Sequence, residues 1–122
     1  GYCITCHQSN GMGLESSGFP PLAGSKWVMG NTDRLIKITL NGLYGPMEVN
    51  GKQYKGNVPM TPYGGMLNDQ EMSEVLNYIR QSFGNIASEW ITEEKVATVR
   101  KNTRSFTGFY KPEDLLKLHP HN

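Results

Sequence analysis

The clearest period in the chain lies at residues 68–83, NDQEMSEVLNYIRQSF, where Met72, Val75, Leu76, Ile79 and Phe83 recur at helical spacing. Asn68 and Glu71 form the two halves of a capping box, and Gly84 supplies a stop. This pattern predicts an amphipathic helix that buries those five side chains. A shorter helix is predicted over 31–42, NTDRLIKITLNG: Asn31 or Thr32 caps it, Leu35, Ile36, Ile38 and Leu40 bury, and Asn41-Gly42 ends it. At 47–54, MEVNGKQY sets Asn50-Gly51 between two short runs, a strong local signal for a hairpin. Residues 8–30 and 56–66 show no period and are rich in Gly, Ser and Pro. Loops that long are at odds with a small compact domain unless they line a functional site.

Residues 86–122 read as an extension. Thr92 opens TEEKVATVRK, with Glu93 and Glu94 in the first turn and Arg100 and Lys101 in the last, as the helix dipole favours. KPEDLLKL puts Pro112 at a first helical position. Trp90, Phe106, Phe109 and Tyr110 make this tail too aromatic for a disordered linker, so it is expected to pack against the rest of the chain or a partner.

Composition sharpens the problem. Only 37% of the 122 residues are apolar, while glycines number 14 and prolines 7, so a core of protein alone would be thin. The formal charge of +1, with acids and bases scattered, points to neither nucleic acid nor an anionic membrane surface. No apolar run is long enough to span a bilayer. An opening Gly1 in place of Met is what a mature form or a fragment shows. The two cysteines both lie in one opening motif, so no disulfide framework is expected.

That motif is Cys3-x-x-Cys6-His7, the attachment signature of c-type haem. Each thiol adds to one haem vinyl group, and the three-residue step matches their separation. His7, next in the chain, is then placed to ligate the iron. A thioredoxin-like redox pair would need a strand before the motif and a long helix after it, and QSNGMG follows instead. A zinc site would need a different histidine spacing from that of His119-x-His121. A porphyrin also accounts for the aperiodic loops, which would wrap a flat apolar cofactor serving as the core.

Six methionines compete for the iron's remaining axial position. Met72 belongs to the helix core, and Met12, Met29 and Met47 read as packing or surface. Met60, in VPMTPYGG, is stiffened by Pro59 and Pro62 as a fixed loop ligand requires; Met66 is the alternative. His119 and His121 read as solvated terminal residues. His/Met ligation raises the reduction potential relative to two histidines and leaves no open coordination position, which favours electron transfer over catalysis.

The stretches CITCHQSNGMG, FPPLAGSKWV, RLIKITLNGLYGPMEVNGKQYKG and VPMTPYGGMLNDQEMSEVLNYIRQSFGN, in this order over residues 2–85, resemble class I c-type cytochromes, most closely the small bacterial domains. The resemblance implies an all-α cytochrome c fold at residues 1–85, with one haem c joined through Cys3 and Cys6, a small hairpin, and axial ligands His7 and Met60. It implies that the Pro20 carbonyl accepts from the His7 ring and that Leu22 and Trp27 line the haem pocket. Arg34 reads either as a propionate partner or as a solvated helix charge. The family's helix before the motif has no counterpart beyond Gly1 and Tyr2, and residues 86–122 exceed the minimal fold. The implied role is that of a periplasmic or otherwise extracytoplasmic single-electron carrier serving redox partner proteins. A domain or subunit of a larger dehydrogenase or oxidase complex is the first alternative, and a haem-based ligand sensor the second.

Overall fold

The computed structural model describes residues 7, 10–14, 19–56, 59–87 and 89–121. Five helices and one hairpin are formed among them: α1 (Lys26–Met29), α2 (Thr32–Asn41), β1 (Met47–Val49), β2 (Lys52–Tyr54), α3 (Asp69–Arg80), α4 (Glu93–Asn102) and α5 (Pro112–Leu118). The cysteines of the opening motif lie outside the described residues.

Local chemistry sets most of these boundaries. Asn31 caps α2 by accepting from the Arg34 amide, and Gly42 follows its end with φ 81°. Asn68 and Glu71 close a full capping box on α3. Thr92 caps α4 by accepting from the Lys95 amide. In the antiparallel hairpin, Val49 pairs with Lys52, and Asn50 and Gly51 take φ values of 53° and 81°, as a tight primed turn demands. Helix α3 ends at Arg80, short of the predicted Phe83. Phe83 turns to φ 58°, which lays its ring against Gly11 and edge-on to Tyr78.

Two apolar clusters result. The first joins α2, α3 and α4 through Leu35, Ile36, Leu40, Met72, Leu76 and Val96, with Val75 and Phe83 only half-buried at its edge. The second gathers Trp27, Ile38, Leu43, Tyr54, Tyr110 and Leu115, with Met47 and Met60 packed against it. Residues past 86 enter both: Ile91, Val96 and Leu115 are completely buried.

Side chains that reach backbone carbonyls fasten the extension down. The buried Arg80 donates to Val28 at 2.8 Å and to Glu89 at 2.9 Å. Asn77 exchanges two bonds with the Ile91 backbone, at 2.7 and 2.8 Å. Lys95 meets Glu89 and donates to Thr32 Oγ1 at 2.8 Å. Hydrogen bonds from charged donors are stronger than neutral ones, and here they also satisfy carbonyls that burial would otherwise leave unpaired.

Arg34 and the terminal histidines differ from the sequence reading. Arg34 is fully buried, not solvated. Its guanidinium donates to the carbonyls of His119 at 2.7 Å and Lys26 at 2.9 Å, and stacks on Trp27 at 4.9 Å from the ring centroid. His119 and His121 are half-buried rather than solvated. The Lys37 ammonium donates to His119 Nε2 at 2.9 Å, and the His121 ring meets Trp27 edge-on at 4.9 Å. The reason is common to all three. The chain's end folds back over α2, and no local pattern records a contact between residues 85 positions apart.

Candidate functional site

The site begins with a tight pairing of two loops. Gly13 donates to the His7 carbonyl, Leu14 and Phe19 exchange backbone bonds at 2.7 and 3.0 Å, and the Gly11 carbonyl accepts from Leu22 and Ala23. A Cβ at position 13 would sit 2.3 Å from the Phe19 oxygen, so only glycine allows this approach. The pairing brings Pro20 over the buried His7, whose Nδ1–H donates to the Pro20 carbonyl at 2.6 Å. With the proton held at Nδ1, Nε2 of the neutral ring keeps a free lone pair. Burial pushes the His7 pKa below its ordinary value, against the opposing pull of the Pro20 bond. The neutral, metal-ligating form is therefore the favoured one.

Asn85, which the sequence reading passed over, locks this loop to the end of α3. It is buried, accepts from the Gly24 amide at 2.7 Å, and donates to the carbonyls of Leu22 at 3.1 Å and Ile79 at 2.9 Å. Its only sequence signal was its place just after the helix stop, where an amide side chain can serve two chain directions at once.

Beside His7 opens a cavity of about 260 Å³. Pro20, Leu22, Trp27 and Met60 all line it, together with apolar residues of α2 and α3 such as Ile38 and Ile79. Among the described residues, no Asp, Glu, Lys or Arg belongs to its wall. Trp27 is held by its indole N–H, which donates to the Glu48 carbonyl of β1 at 2.9 Å.

The Met60 loop is tied to the end of α2. The Met60 amide donates to the Leu43 carbonyl at 2.8 Å, Tyr63 donates to Thr39 at 2.8 Å, and Gly64 donates to Leu40 at 3.1 Å. Of the other methionines, Met47 also lines the cavity. Met12 and Met66 are exposed, Met72 is fully buried in the first cluster, and Met29 packs against that cluster. Arg34 is not part of the cavity wall.

An uncharged cavity presenting one imidazole with a free lone pair and one or two thioethers suits a flat apolar macrocycle carrying a soft-ligand metal. His7 and Met60 are the described residues whose donor atoms match such a group.

Comparisons with known proteins agree with this chemistry. The family model for cytochrome c matches residues 2–83. A cytochrome c-552 of Thermus thermophilus is 39% identical over 87 residues, covering 68% of this chain and 63% of its own length. The gluconate 2-dehydrogenase cytochrome c subunit of Pantoea cypripedii is 34% identical over 105 residues, covering 82% of this chain and 22% of its own length. The cytochrome c subunit of alcohol dehydrogenase (quinone) of Gluconobacter oxydans is 30% identical over 98 residues, covering 80% of this chain and 20% of its own. The chain thus spans less than two thirds of the length of each of these relatives.

Proposed function

The chain belongs to the cytochrome c family, with its covalently bound haem c, and on that premise we propose that it moves single electrons through a haem anchored at Cys3 and Cys6 and ligated by His7 and Met60. The carrying observation is the convergence of His7 and Met60 on one uncharged cavity. The haem supplies the reversible one-electron couple. The protein's own groups do the rest. The Pro20 carbonyl holds the imidazole's orientation and tautomer and raises its basicity. The apolar wall excludes water, which disfavours the more highly charged oxidised state, and the Met60 thioether favours ferrous iron. With His7 and Met60 both holding the haem iron, no coordination position would be left for substrate, so the chain would act as a carrier and not as a catalyst in its own right.

A second reading, that the chain is the electron-transfer domain of a larger dehydrogenase complex, has one specific observation in its favour. A match covering 82% of this chain runs past residue 85 into the extension, and that relative is a dehydrogenase subunit by name. Both readings place the protein outside the cytoplasm, where haem is attached to CxxCH motifs. Among the described residues, no helix is long and apolar enough to cross a membrane.

The test is a reductive titration of the purified haem protein. The expected result is one electron taken up per chain, with ferrous iron that does not bind carbon monoxide. Rapid carbon monoxide binding with a high-spin ferric spectrum would show an open coordination position and replace the carrier with a ligand sensor.

A further inference from the structure

Residues 42–44 form the middle line of a small three-chain ladder. On one side Leu43 exchanges bonds with Met60: the Met60 amide donates to Leu43 at 2.8 Å and the Leu43 amide donates back at 3.4 Å. On the other side Tyr110 lies parallel, accepting from the Tyr44 amide at 2.9 Å and donating to the Gly42 carbonyl at 3.2 Å. Successive residues of an extended segment point their polar groups in opposite directions, so one segment can hold both neighbours. Gly42 is pinched between them. A Cβ there would lie 2.4 Å from the Met60 oxygen and 2.7 Å from the Phe109 ring.

The extension also grips the far flank of the same loop. Arg100, in the last turn of α4, donates to the carbonyls of Gly64 at 2.6 Å and Leu67 at 2.9 Å, and pairs with Asp69 at 2.8 Å. Tyr110 is buried in the cluster against which Met60 packs, its ring 4.0 Å from that of Phe106. Met60 itself is therefore tied to residues 42–44, which Tyr110 backs, and the loop is tied again at residue 64 by Arg100. Both come from residues beyond the span that the family model matches.

We propose that the extension is a positioning strap for the axial methionine, with Tyr110 and Arg100 as its two positioning residues. By restraining Met60 itself and the residues that follow it, it sets how readily the Met60 sulfur would yield its place on the iron to another ligand. This rests on the assignment of Met60 as ligand. A loop tied at one point opens at the cost of few bonds, whereas one tied at two must break the second set as well. The strap thus suppresses ligand exchange without touching the cofactor.

The test compares Arg100→Gln, Tyr110→Pro and Met72→Ala in the ferric haem protein. Met72→Ala is the control, since it hollows the first cluster and touches neither strap contact. Two readouts are taken: displacement of the methionine by added imidazole, and hydrogen exchange at the Met60 amide. Loss of a strap bond should tighten imidazole binding about tenfold and speed Met60 amide exchange similarly, with no such change in Met72→Ala. Arg100→Gln alone suffices if Tyr110→Pro does not fold. Strap variants that match the wild type, or that change only in step with the control's loss of stability, would overturn the proposal. Met60→Ala separates the two failures. If that variant keeps the far-red methionine band, the ligand assignment itself falls and the strap's proposed role falls with it. If the band is lost while the strap variants stay unchanged, only the strap fails.

Discussion

The cluster between α2, α3 and α4 is made of helix faces that follow a 3.6-residue period, whereas the cluster around Trp27, Leu43 and Tyr54 draws on a hairpin, two loops and the far end of the chain. The first closes on its own side chains, with Ile36, Met72 and Val96 fully buried. The cavity of about 260 Å³ lies between the two, walled by Val28, Leu35, Leu76 and Ile79 of the first and by Trp27, Ile38, Leu43, Val49 and Tyr54 of the second. At roughly 24 cal/mol per Å³, leaving such a volume unfilled would cost up to about 6 kcal/mol, comparable to the whole stability of a small domain. Ile36, Met72, Ile91 and Val96 of the first cluster lie away from that wall, whereas most of the second cluster's buried residues are on it, so the second depends more on what fills the cavity.

Preventing haem attachment should therefore separate the two halves. In a Cys3→Ala/Cys6→Ala variant, amide protection is expected to vanish across residues 43–60 while surviving in part in α3 and α4, as hydrogen exchange would record. Equal loss in both regions would mean that the clusters are one cooperative unit.

The same contrast explains what could be read from the sequence. Asn68 with Glu71, and Asn50 with Gly51, announce their structures because cap and turn chemistry act within a few residues. His7, Pro20, Leu22, Trp27 and Met60 were legible through a motif and a family pattern, and the cavity is where all five meet. The burial of Arg34 and the partners of Asn85, Arg80 and Tyr110 were not legible. Their partners are backbone groups, which every residue has, so neither spacing nor composition marks them. Phe83 kept the helical spacing yet left the helix, because its ring found Gly11.

Asn85 sharpens the comparison by joining the end of α3 to the loop that carries Leu22 and Gly24. Asn85→Ala strands one amide and two carbonyls and should cost about 2–3 kcal/mol in denaturant unfolding. A cost under about 0.5 kcal/mol would show that the loop is held by the haem and not by this side chain.

Acid should loosen the end of the chain first. Burial lowers the pKa of His119 and His121; Lys37 and Arg34 lower His119 further against Asp33, and Arg34 and Lys26 lower His121 against Glu48. The folded chain then holds fewer protons than the unfolded one just below the ordinary value of 6.5, so stability is full above that pH and falls as acid is added. A His119→Gln/His121→Gln variant should flatten the decline between about pH 7 and about pH 5. An unchanged slope would place the titrating groups elsewhere.

Salt should matter least. With a net charge of +1, electron transfer to the native partner is expected to change less than about threefold from low to high ionic strength. A steep fall would reveal a charged docking face that net charge conceals.

The most direct test of the central claim is the absorption spectrum of the ferric protein, with Met60→Ala, Met47→Ala and Met66→Ala beside the wild type. The account predicts the weak far-red band of methionine on ferric haem in the wild type, its loss only in Met60→Ala, and its persistence in the other two. A band that survives in Met60→Ala and disappears in Met47→Ala, whose side chain shares the cavity wall, would contradict it.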